Sequence, residues 1–390
     1  MPEATTRVIV AGIGQTPVRE HWETSLRDLA LGAIRGALAD SGGLRPQAMF
    51  VGNMLSPNLS NQAHLAALVA DYAGLSGIEA VTLEAAGASG GAALRQGYLA
   101  VASGMVEVAL VVGVEKITDR IGANVDAALA TAMDSDYEAV HGLTPTAQAA
   151  MLMQRYMQEH NVPPNGFAGF PLTAHANAEP NTNALFRKAI TLETYVKSPV
   201  VNEPLRQFDV APEADGAAAL VLAREAILRP DMPHPLVRIA GSGSSADSLA
   251  LHDREDLLQF RACRISAEKA LRQAGATPES IDFFEYHDAF SIYAALALEA
   301  VGFADRGLGW RLAQDGSIAR HGRIPAATMG GLKARGLAGG ATGVYQAVEA
   351  TLQLQGRAGA SQLPRAGSAL IQSVGGPAST VVSHVLQSAG

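Results

Sequence analysis

The sequence predicts an α/β protein made of two duplicated, layered halves, each a doubly wound sheet, with a helical loop region inserted into the first. Three observations lead there. A chain of 390 residues is longer than a single core usually fills. Short uncharged runs rich in Val, Leu and Ile alternate with helical runs, the pattern of strands covered on both faces. Finally, the chain resembles itself at an offset of about 230 residues.

The repeat begins with Val8-Ile9-Val10-Ala11-Gly12-Ile13-Gly14, echoed by Val237-Arg238-Ile239-Ala240-Gly241-Ser242-Gly243. A helical segment follows each copy and ends alike, at Ala37 to Gly42 with Pro46 beyond and at Ala270 to Gly275 with Pro278 beyond. The next strands are expected at Met49 to Gly52 and Ile281 to Tyr286. Small-residue helices then begin at Ala88-Ser89-Gly90-Gly91 and at Gly340-Ala341-Thr342-Gly343. Buried strands are expected after them, at Val108 to Val114 and Ala369 to Val374. From about Lys116 to about Pro204 the strand-like runs disappear and Pro, Asn, Met and His accumulate, with a helix expected over Ala147 to His160. The pattern of a buried strand returns at Asp215 to Leu222. The expected units are therefore 1–235, carrying an insertion at about 116–204, and 236–390. An insertion of that length serves a site or an interface.

Composition narrows the function. The chain is 48% hydrophobic and 17% charged, with 40 glycines and 5% aromatic residues, as compact Ala/Gly-rich α/β packing requires. A net charge of −8 without a basic run disfavours nucleic acid or an anionic membrane as partner. Helix N-termini still allow a phosphate-bearing ligand. The single cysteine, Cys263, excludes an internal disulfide and a cysteine metal site, and reads as a small buried thiol. No signal region, and no apolar stretch long enough to span a bilayer, is read in the sequence, so the cytoplasm is expected. His21, His64, His141, His252 and His321 show no metal-ligand spacing. The Gly12-Ile13-Gly14 and Gly241-Ser242-Gly243 runs do not complete a dinucleotide fingerprint, and the duplication accounts for both.

The run Leu83 to Gly91, then Val111-Val112-Gly113-Val114-Glu115-Lys116, Asp215 to Ala219, His287-Asp288-Ala289-Phe290, and Gly330-Gly331-Leu332-Lys333-Ala334-Arg335-Gly336 resemble the thiolase superfamily, in its sterol-carrier-protein, lipid-transfer branch. The resemblance runs in order over nearly the whole chain and implies a thiolase fold. It also implies a nucleophilic cysteine at a helix start, where backbone N–H groups and the helix dipole favour thiolate; this sequence has Gly87 there. The family's Gly-His-Pro segment reads Gly336-Leu337-Ala338, the asparagine expected before Gly330 is Ala327, and the C-terminal loop is Ser373-Val374-Gly375-Gly376-Pro377.

What remains chemically able is a smaller set. His287 is expected to face the cavity as acid, base or hydrogen-bond donor. Asp288 is expected to orient it or to cap a helix. The backbone N–H groups of Gly87, Gly375 and Gly376 stand where oxyanion donors are expected. Tyr293 and Tyr345 flank these regions and serve as candidate acid/base groups or as packing. His175 matches a family segment in the insertion, as loop structure or ligand contact.

Acyl-cysteine chemistry is therefore disfavoured. The sequence further resembles cysteine-lacking steroid side-chain aldolases of the lipid-transfer type, which act with a small partner carrying an OB-fold and a zinc ribbon. That likeness implies retro-aldol cleavage of a branched β-hydroxyacyl-CoA, with a coenzyme A thioester as substrate, no covalently bound cofactor and no metal. It also implies a homodimer, with the OB-fold/zinc-ribbon protein as a further partner. The alternative is a non-catalytic acyl-CoA-binding or scaffold subunit, and behind it an acyltransferase using Ser89.

Overall fold

In the computed structural model, which describes residues 6–389, one mixed sheet of nine strands runs through the protein. Residues 1–5 and Gly390, with which the two expected units begin and end, lie outside the described residues.

The first half contains β1 (Val8–Gln15), α1 (Leu26–Asp40), β2 (Ala48–Gly52), α2 (Ser56–Leu59), α3 (Leu65–Tyr72), β3 (Glu79–Leu83), α4 (Ser89–Ala102) and β4 (Val108–Glu115). After α5 (Ala123–Ala130), α6 (Pro145–His160), α7 (Gly169–Ala178), α8 (Leu192–Lys197) and the small hairpin of β5 (Val200–Asn202) and β6 (Leu205–Arg206), the chain returns to the sheet as β7 (Gly216–Arg224). The second half contains β8 (Leu236–Ala246), α9 (Arg261–Ala274), β9 (Phe283–Glu285), α10 (Ser291–Val301), α11 (Gly309–Gln314), α12 (Thr342–Leu354), β10 (Ser368–Gly375) and β11 (Thr380–Ala389).

The duplication is visible in the sheet. Its order is β3-β2-β4-β7-β1-β8-β11-β10-β9. In the first half β2 runs parallel to β4, and β4–β7 and β7–β1 are antiparallel. In the second, β9 runs parallel to β10, and β10–β11 and β11–β8 are antiparallel. Even the irregularity repeats: the ladders skip Ala11 in β1 and Ala240 in β8, the same residue of the repeat.

Each Gly-x-Gly has a packing cause. A side chain at Gly12 or Gly14 would strike the Ala37 or Ala33 carbonyl of α1, and one at Gly241 or Gly243 the Ala270 or Ser266 carbonyl of α9. These glycines let one helix of each half lie directly on its strand.

Between the half-sheets α4 and α12 pack on each other, and each touches strands of both halves. They cross where Gly90 and Gly91 meet Gly340 and Gly343, so closely that a Cβ on Gly90, Gly340 or Gly343 would enter a neighbouring backbone and one on Gly91 would strike the Ser373 side chain. The apolar interior of this layer draws Val10, Leu220, Ile371 and Leu386 from four strands. Helix α1 covers the outer face of the first half-sheet, and α9 with α10 that of the second. No described helix is long and apolar enough to cross a membrane.

Candidate active site

The N-terminus of α4 fixes the centre of the site. Ala86–Ala88 form a tight turn leading into the helix, with Ala86 at φ 50°, a left-handed conformation that an alanine adopts only when its surroundings impose it. Two side chains impose it. The Ser89 hydroxyl donates to the Ala86 carbonyl (2.6 Å) and accepts from the Ala85 N–H (2.9 Å), while Glu84 accepts the Ala86 N–H (2.6 Å). Ser89 is fully buried and wholly engaged in this turn, so its hydroxyl is not presented as a nucleophile.

Gly87 lies in that turn facing His287. A Cβ built on Gly87 would stand 2.6 Å from the Val374 carbonyl oxygen and 3.3 Å from Nε2 of His287. The position thus has no room for a side chain unless the β10 backbone withdraws. Replacing Gly87 with cysteine is expected to cost about 1–3 kcal/mol, the range for overpacking a close-packed site, and to create no thiolysis. Thermal melts and a thiolysis assay on purified Gly87→Cys check this; a stable variant that thiolyses a β-ketoacyl-CoA would refute it.

His287 follows β9 in a loop pinned by Gln346, whose amide donates to the Glu285, Tyr286 and Gln372 carbonyls. Burial, and then the Arg335 charge, push its pKa down to about 3. It is a neutral imidazole at physiological pH. Its Nδ1 is buried without a hydrogen-bond partner among the described residues.

Gly87 and His287 form one end of a cavity of about 100 Å³. It opens beyond the C-terminal ends of the parallel strands β9 and β10, where open α/β sheets place ligands. Leu337 and Gly339 of the loop before α12 line it, as do Val374 at the end of β10, Gly376 just after it and Tyr293 from α10. The insertion closes it with α5, through Asp126 and Leu129, and with α6, through Thr146 and Gln148. Leu337 contributes only hydrocarbon.

A carboxylate behind the cavity sets one wall. Glu115, at the end of β4, accepts the N–H groups of Met54, Leu55 and Gly340 and the Asn53 amide, and thereby ties the α2 turn to the loop before α12. Burial raises its pKa to about 7 against those four donors.

Several expected residues stand elsewhere. Tyr345 is corrected from candidate acid/base to structural support: it is buried among strands of the first half, its phenol donating to the Thr16 carbonyl (3.0 Å) and pairing with the Thr16 hydroxyl (3.2 Å). Asp288 is also outside the cavity lining; its carboxylate accepts the Leu332 N–H (2.7 Å) and sits under the Gly330-Gly331 turn, a cap rather than an orienter of His287. Gly375 presses its α-carbon against the Ala85 carbonyl and positions the neighbouring turn, leaving Gly376 to face the cavity. Ala327 is buried at φ 48°, its carbonyl held by Asn177 (3.0 Å). His175 stacks on Phe186, 6.0 Å away, and pairs with the Lys188 carbonyl inside the insertion. Cys263 is buried in α9, outside the cavity lining, and burial raises its pKa strongly.

The residues that sequence reasoning missed are Asp126, Gln148 and Glu213. Gln148 is buried, gives its amide N–H to Glu138 (2.9 Å) and leaves its Oε1 unpartnered among the described residues. Glu213 belongs to a segment held on both sides. Ala211 N–H donates to the Ala289 carbonyl (2.8 Å), Ala214 N–H to the Leu337 carbonyl (3.0 Å), and Leu337 N–H back to Pro212 (2.8 Å).

Two duplicated half-sheets pack around a shared helical layer, with a histidine facing the start of one central helix. The chain belongs to the thiolase family: residues 8–226 match "Thiolase, N-terminal domain" and residues 243–388 match "Thiolase C-terminal domain-like". An acetyl-CoA acetyltransferase of Methanothermobacter thermautotrophicus is 40% identical over 97% of this chain and 98% of its own. A 17-hydroxy-3-oxo-4-pregnene-20-carboxyl-CoA lyase of Mycobacterium tuberculosis is 29% identical over 89% and 91%. The solved structure described as "Ltp2-ChsH2(DUF35) aldolase" superposes with a TM-score of 0.86 at 24% identity, covering 98% of both chains. The thiolase fold expected from sequence is thus the fold of the protein. Relatives named for acyl transfer and for carbon–carbon cleavage both lie within reach.

Proposed function

We propose that the protein is a carbon–carbon lyase that cleaves a branched β-hydroxyacyl-CoA by retro-aldol chemistry, without an acyl-enzyme. The observation that carries this reading is the Gly87 turn, whose side-chain space is taken by the Val374 carbonyl and the His287 ring. The chain's one cysteine lies outside the cavity. Acyl transfer by way of a cysteine has no thiol in the cavity to start from, whereas retro-aldol cleavage needs only a base for the hydroxyl proton and donors for the thioester enolate.

His287, with its proton on Nε2, donates into the space before Gly87, and the Gly87 N–H belongs to the first-turn donors that a helix leaves unpaired. A neutral donor suits the task, because it stabilises a developing enolate oxygen without surrendering its own proton. The small cavity favours a short acyl group near the scissile bond, with the coenzyme outside. The 29% identity to a steroid acyl-CoA lyase supports the reaction class.

Partners follow the same reading. Strand β3 forms the sheet edge and is largely exposed, with Val81 52% accessible. An exposed, unpaired strand edge of this kind is a place for a covering chain, and a second copy paired about a two-fold axis supplies one. An OB-fold/zinc-ribbon protein is the expected further partner, in keeping with the likeness to an aldolase described with a DUF35 component.

The test is to incubate the protein, alone and with such a partner, with β-hydroxyacyl-CoAs and separately with β-ketoacyl-CoA plus free CoA, reading products by mass. Cleavage of the hydroxy esters without thiolysis is expected. Failure to cleave any of them, with acyl-CoA still bound, would replace the lyase with a non-catalytic acyl-CoA-binding subunit.

A further inference from the structure

The cavity holds four titratable side chains: Asp126, Glu213, His287 and Tyr293. Two of them are poorly suited to accept a proton near neutrality. His287 is a very weak base in its buried loop, and burial lifts the Tyr293 phenol well above its usual range, so that it stays protonated. Asp126 and Glu213 remain, and their settings differ. Asp126 extends from the first turn of α5. Glu213 is carried by a backbone stitched to Ala289, two residues from His287, and to Leu337, both of which line the cavity. The backbone from which its carboxylate extends is therefore fixed by the same loops that carry the imidazole.

A second observation bears on the ligand. Gln148 lines this cavity and is buried with an Oε1 that has no partner among the described residues, its amide nitrogen already committed to Glu138. Glu213 and Asp126, both solvent-exposed, add further acceptors to the same wall. A buried acceptor left unpaired, as Gln148 Oε1 is, is costly, so the favoured ligand brings a donor of its own. A hydroxyl does so; a plain acyl chain or a ketone does not.

We propose that Glu213 is the residue that takes the β-hydroxyl of the bound acyl-CoA, accepting its hydrogen bond on binding and its proton during cleavage. The catalytic half of this assignment rests on the lyase reading above. In that step the hydroxyl proton passes to the Glu213 carboxylate, the oxygen's electron pair forms the new carbonyl, and the Cα–Cβ bond breaks. Its electrons go to the thioester enolate facing His287. The carboxylic acid then returns the proton to the enolate carbon, releasing the shorter acyl-CoA and restoring the carboxylate. No oxidant, reductant or further reactant enters. Glu213 is exposed along its length, but the protein crowding its carboxyl strips away water and raises it above its ordinary range, with the Asp126 charge adding to the effect.

The test compares the dissociation constants of butyryl-CoA and 3-hydroxybutyryl-CoA by calorimetry for wild type, Glu213→Gln, Glu213→Leu and Asp126→Asn, with cleavage rates measured in parallel on a branched β-hydroxyacyl-CoA. Wild type is expected to prefer the hydroxy ester by about tenfold or more, as a hydrogen bond to a charged acceptor implies. Glu213→Leu is expected to abolish that preference, and Glu213→Gln to lower cleavage by about 10²-fold or more. Equal affinities in wild type, an unchanged preference in Glu213→Leu, or a preference lost only in Asp126→Asn would each overturn the assignment. A preference that depends on Glu213 in a protein that cleaves nothing would leave hydroxyl recognition standing and remove the lyase reading and its catalytic step.

Discussion

Replacing His287 with alanine is expected to lower kcat for β-hydroxyacyl-CoA cleavage by about 10²–10³-fold, the loss that follows removal of one oxyanion donor. The loop that carries it should stay in place. Gln346 holds the backbone at Glu285 and Tyr286, Asp288 is fixed to Leu332, and Nδ1 of the ring makes no hydrogen bond among the described residues. His287→Gln, which keeps a donor, should recover part of the rate. The sign of the pH effect also follows. Because the folded pKa lies near 3, below the ordinary value of 6.5, the unfolded chain binds the extra proton between those values. The stability tied to this neutral ring is therefore present above about pH 6.5 and lost as pH falls toward 3. His287→Ala should show a shallower acid-side decline in urea melts. An unchanged kcat would remove His287 from the chemistry.

The fold was readable because its cause is local and repeated. Gly12 and Gly241 mark the same helix-on-strand contact in two places, and that contact forbids any larger residue, so the duplication stands out in the chain itself. β11 was harder to find. Thr380–Ala389 mixes Ser383, His384 and Gln387 among its valines, each given a partner only by the fold: Ser266 and Gln372 for Ser383, the Gly91 carbonyl for Nε2 of His384 and Arg238 for Gln387. The site divides the same way. His287 and Gly87 lie in runs that resemble a family, and the structure brings them together. Tyr345 was misjudged because its place in sequence, three residues into a central helix, says nothing about which half-sheet its ring enters. Glu213, Asp126 and Gln148 escaped notice because two helices of the insertion and a loop far along the chain bring them to one wall. Each looks like an ordinary polar residue until the insertion folds over the sheet.

Replacing Arg335 with methionine is expected to destabilise the protein by about 3–5 kcal/mol, the cost of stranding a buried carboxylate. The guanidinium is 1% exposed, bonds Glu349 (2.8 Å, itself 2% exposed) and lies over the Tyr345 ring at 5.1 Å. Glu285 is nearby, its carboxyl pushed up to about 8 by burial and by the Glu349 charge, while Glu349 is also raised by burial although Arg335 opposes this. Without the cation both carboxyls hold their protons more firmly. A carboxyl whose folded pKa is raised stabilises the fold below the ordinary carboxylate range, and that contribution disappears as pH climbs through the folded value. The deficit of Arg335→Met should therefore be smaller at pH 5 than at pH 8. Removing the partner as well, in Arg335→Met with Glu349→Leu, should recover most of the loss, since an apolar pair of similar volume strands neither member of the ion pair and also removes the Glu349 charge that acts on Glu285. Urea denaturation of the three proteins at both pH values checks this. The same deficit at pH 5 and pH 8, or a double variant no better than the single, would mean that Arg335 acts through packing on Tyr345 rather than by neutralising the glutamates.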